Sequence, residues 1–154
     1  MQKPAIINLW LFVIFLGISV GAGLYEARIM VPIWYDTPPE TWLNTGIAFW
    51  AFLTTGPLTL LVLAGLYFAW RSTGPVRPWW LAALAISVVE RIATFAYFIP
   101  TMAWLQGQTG DAGAVVTSTL ETWTFVNHGR HVLSISAWLL ALKALSLAAR
   151  SPAT

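Results

Sequence analysis

Cysteine is missing from the chain altogether. That excludes disulfides, thiolate-bound metals, thiol catalysis and cysteine-held iron–sulfur clusters, and it leaves the redox compartment unread. Charge is scarce too: Asp, Glu, Lys and Arg make up 9% of the 154 residues, against about 25% in an ordinary soluble domain. The net charge of +2 is scattered rather than gathered into a basic patch, which argues against a nucleic-acid partner. There is no internal repeat and no low-complexity stretch. What fills the space is apolar, with 58% hydrophobic residues and a mean hydropathy of +0.70. Such a chain is expected to be a single integral membrane domain, residues 1–154, whose first partner is the lipid bilayer.

Four apolar runs supply helices at about residues 5–31, 46–70, 79–104 and 117–149, each long enough for the roughly 20 residues a bilayer requires. A cleaved signal peptide is the rival reading of the first, with Lys3 as its basic start and Gly21 to Gly23 as its small-residue end, but the apolar core is too long for one. Pro32, Pro38 and Pro39 are expected to end that helix in a loop at the membrane interface. Gly56-Pro57 predicts a kink in the second helix. Gly17 and Gly21 form a GxxxG pair that lets another helix, or a second copy in a homo-oligomer, approach closely.

Loop charges orient the spans. Lys3, Arg71, Arg77, Lys143 and Arg150 fall on one side, and Asp36, Glu40 and Asp111 on the other. The positive-inside rule then gives an all-α, antiparallel four-helix bundle with both termini cytoplasmic. Trp10, Trp70, Trp79 and Trp80 would form an inner aromatic belt, and Trp34, Tyr35, Trp42, Trp104 and Trp123 an outer one.

Few polar groups lie inside these spans, and they are the informative ones. On a helix turning about 100° per residue, Thr124, Asn127, His128, His131 and Ser134 share a stripe roughly 120° wide, with Arg130 at its margin. A rise of about 1.5 Å per residue brings Glu26, Glu90, Arg91 and this stripe to overlapping depths. A charge at the bilayer centre costs at least about 2.5 kcal/mol, so these groups are expected to pair, Glu90 or Glu26 with Arg91, Arg130 or a protonated histidine. Arg28, some 200° from Glu26, is expected to reach for the outer interface.

Several chemistries fit such a set. His131 held against a carboxylate suits proton abstraction, with Arg130 and Asn127 stabilising an oxyanion. Glu26, Glu90, His128 and His131 are also legitimate ligands for a divalent metal, although no Glu-x-x-His pair is present. A haem on His131 is a further alternative without an identified second ligand. Non-catalytic readings stand beside these: a binding or transport module, or a structural subunit in which Glu90-Arg91 is a buried ion pair and Asn127 joins helices.

The segments Gly21 to Glu26, Val31 to Trp34, Glu90 to Pro100, Asn127 to His131 and Trp138 to Leu145 resemble the small four-helix membrane proteins, many of them bacterial, that are grouped with the fungal anthrone oxygenases. Asn127 and Arg130 are the most recognisable elements. The resemblance implies oxidation of a lipophilic polycyclic anthrone to the quinone by dioxygen, with no dedicated cofactor motif, in a bacterial inner (plasma) membrane. A carbanion formed by His131, with Arg130 or Asn127 as oxyanion partner and Glu26 and Glu90 in support, would react with dioxygen directly. Arg91, Trp123, Tyr97 and His128 would contact the substrate, and Phe95 and Phe98 would add walls; a metal or haem stays open.

Overall fold

A computed structural model describes residues 2–42, 48–110 and 113–150. The expected helix start at Gly46, the outer-loop Asp111 and Ala112 and the polar tail 151–154 lie outside the described residues. Four helices are long and apolar enough to cross a membrane: α1 (Lys3–Tyr35), α2 (Phe49–Arg71), α3 (Val76–Gln106) and α4 (Ala114–Ala149). Among the described residues there is no strand. α4 packs along α3 and α1, and α2 closes the bundle against α1 and α3.

Three of the four helices carry a wide π turn, and each turn sits just before a proline. The turns are Glu26–Met30 ahead of Pro32, Phe49–Thr55 ahead of Pro57, and Thr94–Phe98 ahead of Pro100. Proline has no N–H to give, and its ring collides with the carbonyl four residues back. The residue before each proline instead donates five residues back: Val31 to Glu26 O, Gly56 to Ala51 O and Ile99 to Thr94 O. That local adjustment keeps backbone groups satisfied in lipid. It also corrects the expectation that Pro32 ends the first helix, since α1 runs on through Pro32 to Tyr35. At Pro57, where a kink is expected, the helix carries this turn. A Cβ on Gly56 would stand 2.6 Å from Ala51 O, so only glycine fits. Gly56→Ala is therefore expected to destabilise by about 1–3 kcal/mol, read as a lower unfolding midpoint in detergent.

One half of the bundle is a dry core built on Leu9, Phe12, Leu58, Trp80 and Leu84. Ala137, Ala141 and Ala144 line one face of α4 there, and their small side chains let the helices come close. Gly17 serves the same end within the bundle, where a Cβ would lie 3.2 Å from Trp138 Nε1. Gly21 has nothing within 4 Å, so the GxxxG pair is split between two environments.

The other half is aromatic. Trp34 stacks on Trp42 with ring centroids 5.6 Å apart and meets Trp123 at 5.9 Å, and Trp123 meets Phe98 edge-on at 5.8 Å. Trp34, Trp42, Trp123 and Trp80 are thus interior, contrary to the belt assignment, because they find partners within the bundle. Trp10, Trp70, Trp79, Trp104 and Tyr35 remain exposed and available as anchors.

Candidate functional site

The polar groups lie between the dry core and the aromatic cluster. Glu26 opens the π turn of α1, which aims its carboxyl inward, while Arg28 on the same turn is exposed. Glu26 faces Arg130 of α4, with Nη2 to Oε2 at 3.7 Å, and Asn127 is its second polar neighbour. The Arg130 guanidinium rests over the Phe98 ring at 4.6 Å, a placement that favours a cation over an aromatic face. Electrostatically Arg130 also feels Glu90 and Arg91.

Glu90 and Arg91 are neighbours on α3 and bond to each other, Arg91 Nη2 donating to Glu90 Oε1 at 3.0 Å. The Ser134 hydroxyl donates to the same oxygen at 2.8 Å. Two carboxylates and two guanidiniums thus form a neutral set inside the bundle, the arrangement in which buried charges are tolerated. Polar capacity is left over. Glu26 Oε2, Arg91 Nη1, Asn127 Oδ1 and His131 Nε2 are buried atoms with no hydrogen-bond partner among the described residues.

Of the hollows that adjoin this set, two take in most of its polar groups. The larger is a pocket of about 550 Å³, within the range of small-molecule sites, walled mainly by Trp34, Trp50, Phe95, Phe98 and Trp123. Its charged lining groups among the described residues are Glu26 and Arg130. Gln106 lies at another part of its wall, eight residues beyond Phe98 or roughly 12 Å further along α3. The π turns contribute much of this wall, including Glu26, Trp50, Thr94, Phe95 and Phe98. The smaller hollow is a chamber of about 20 Å³ lined by Glu90, Arg91, Arg130, His131 and Ser134 together with apolar residues such as Val20, Leu24 and Ile135. Trp50, Thr55 and Arg130 line both.

The residues picked from sequence separate accordingly. Glu26, Arg130 and Trp123 reach the aromatic pocket. Glu90, Arg91 and His131 line the chamber, and Asn127 is buried beside Glu26. His131 is not held by a carboxylate: the ring lies against α1, where a Cβ on Gly23 would stand 3.1 Å from Nε2. His128 is exposed, and its Nδ1 is 2.8 Å from the carbonyl of Thr124 in its own helix. Tyr97 packs edge-on against Phe98 without lining the pocket. The set Glu26, Glu90, His128 and His131 does not come together, and among the described residues no three His, Cys, Asp or Glu side chains group as metal ligands. A chamber of about 20 Å³ leaves no room for a porphyrin at His131 Nε2.

Sequence reasoning passed over Trp50 and Gly23. Gly23 gives no signal apart from its neighbours across the bundle, and Trp50 is turned by a π segment that a regular helical wheel misplaces.

A family model described as Anthrone oxygenase matches residues 42–140, which take in α2, α3 and the polar stretch of α4 and leave out Glu26. No curated protein and no solved structure matches the chain.

Proposed function

Since the chain belongs to the anthrone oxygenase family, we propose that it is a membrane oxygenase that oxidises a flat, lipophilic aromatic ketone of the anthrone type in the pocket closed by Glu26 and Arg130. One observation carries the reading: an aromatic pocket of substrate size whose charged lining groups are a carboxylate and a guanidinium 3.7 Å apart. In this reading the bundle is antiparallel, with both termini cytoplasmic in a bacterial inner membrane. The basic ends support it, with Arg77 over the Trp70 ring and Lys143 over that of Trp79.

Glu26 is the base, because it is the carboxylate residue that lines the pocket, and His131 is not among the lining residues. It takes one proton from the methylene carbon opposite the substrate carbonyl, leaving a carbanion delocalised over the rings. The carbanion's electrons form a C–O bond to dioxygen. The resulting peroxide anion lies beside Arg130 and recovers the proton from Glu26 to become a hydroperoxide. Removal of the second C–H proton by Glu26 turns that electron pair into the new C=O bond as the O–O bond breaks. The departing hydroxide takes up a proton to become water, so methylene and dioxygen give carbonyl and water. Gln106, roughly 12 Å from the level of Phe98, suits the original carbonyl at the other end of the rings.

Protein reconstituted in lipid vesicles is expected to consume one dioxygen per anthrone and to release the quinone, well above the rate in protein-free vesicles. Uptake equal to the protein-free rate would sink the oxygenase reading. Trp123→Ala, which removes a wall without touching charge, is expected to raise KM by about tenfold or more, in line with the 1–3 kcal/mol of one stacking face. Substrate titrations of the same vesicles check it.

A further inference from the structure

The small chamber mixes polar with apolar lining groups, and it shares Trp50, Thr55 and Arg130 with the aromatic pocket. About 20 Å³ is room for one water-sized group. Arg91, whose residue is 9% exposed, lines it and keeps Nη1 buried without a partner. His131 Nε2 is likewise unpartnered, and the Ser134 hydroxyl is already committed to Glu90. Arg130 lines chamber and pocket alike.

We propose that this chamber is the leaving-oxygen site: it holds one water at rest and takes the distal oxygen of the substrate hydroperoxide, with Arg91 as its hydrogen-bond donor. The proposal rests on the oxygenase reading and adds residues to it. When Glu26 removes the second C–H proton, that electron pair forms the C=O bond and the O–O pair leaves on the distal oxygen as hydroxide. Negative charge develops there, next to donors fixed in advance in a water-poor interior, where such donors are most effective. The proton then on Glu26 converts hydroxide to water. Glu90, itself held by the Ser134 hydroxyl, keeps Arg91 in place, and His131 is a positioning residue that lies between the chamber and α1. Gly23 is what lets it do so: a methyl at that position would press the imidazole toward the chamber.

Rapid-mixing experiments on the reconstituted full chain separate the two halves of the reaction, with dioxygen uptake reporting the first and quinone absorbance the second. Gly23→Ala and His131→Phe alter the chamber without breaking the Glu90–Arg91 pair. Both are expected to slow quinone release by about 10²-fold, while first-turnover uptake slows less than about threefold and a peroxide assay detects trapped hydroperoxide. Quinone release at the wild-type rate in both variants would overturn the proposal, as would uptake and release slowed in equal measure. No uptake by the wild-type protein would instead overturn the oxygenase reading, and this proposal with it.

Discussion

Exchanging Glu26 for glutamine is expected to lower kcat by about 10²–10⁴, the usual contribution of a positioned general base. The amide keeps the shape of the carboxyl and can still meet Asn127, but it cannot accept the substrate's proton. Packing around it should hold, because Glu26 sits at the head of a π turn fixed by Pro32 rather than by its own side chain. Arg130 loses its partner, yet it keeps the Phe98 face and the field of Glu90. KM is therefore expected to move far less than kcat. Steady-state quinone formation in vesicles, with the unfolding midpoint as the check on folding, decides the matter. A glutamine variant within about threefold of wild type would mean that the base lies elsewhere. Equal losses in the stability and the rate would reduce Glu26 to a structural ion.

The largest effect on stability is expected at Arg91. Glu90 is 3% exposed, and its carboxylate has two partners, the Arg91 guanidinium and the Ser134 hydroxyl. Arg91→Leu leaves the buried carboxylate with the hydroxyl as its one hydrogen-bond partner among the described residues, and breaking a buried pair from one side costs about 3–5 kcal/mol. Removing both charges is different, since matched apolar or neutral replacements of buried pairs are often tolerated. Glu90→Gln combined with Arg91→Met is accordingly expected to recover most of the loss while leaving quinone release slow, because the chamber still lacks its donor. Denaturant titrations of the single and double variants in detergent measure the first statement, and rapid mixing measures the second. A double variant no more stable than Arg91→Leu would show that the guanidinium serves packing rather than charge balance.

Much of the architecture is legible in the sequence because a bilayer permits so little else. Four apolar runs give four helices, and ionisable residues at similar depths, Glu26, Glu90, Arg91 and Arg130, have few partners besides one another. Asn127, His131 and Ser134 share a stripe that a regular wheel finds, since α4 carries no π turn. The wheel fails where a proline stands. The turn at Glu26–Met30 rotates the rest of α1 by about one residue, or some 100°, so Val31 and Trp34 face inward and the helix continues where a break is expected. The same shift at Phe49–Thr55 brings Trp50 to the pocket. His131 misleads for another reason. Its position on the stripe is plain, but whether it meets a carboxylate or a glycine depends on the residue across from it, and Gly23 leaves no trace in local pattern.

Catalysis of this kind requires a flat aromatic molecule to occupy the hollow between Trp34, Phe98 and Trp123 with one edge at Glu26 and Arg130. Photo-crosslinking with a diazirine-bearing anthrone, mapped by mass spectrometry on protein in lipid vesicles, tests that occupancy most directly. The expected result is label on Phe98, Met102 and Trp123, lost when excess unlabelled anthrone is added. Label confined to the outward-facing Phe52, Leu60 and Phe125, which are 82%, 69% and 78% exposed, and indifferent to competitor, would contradict it.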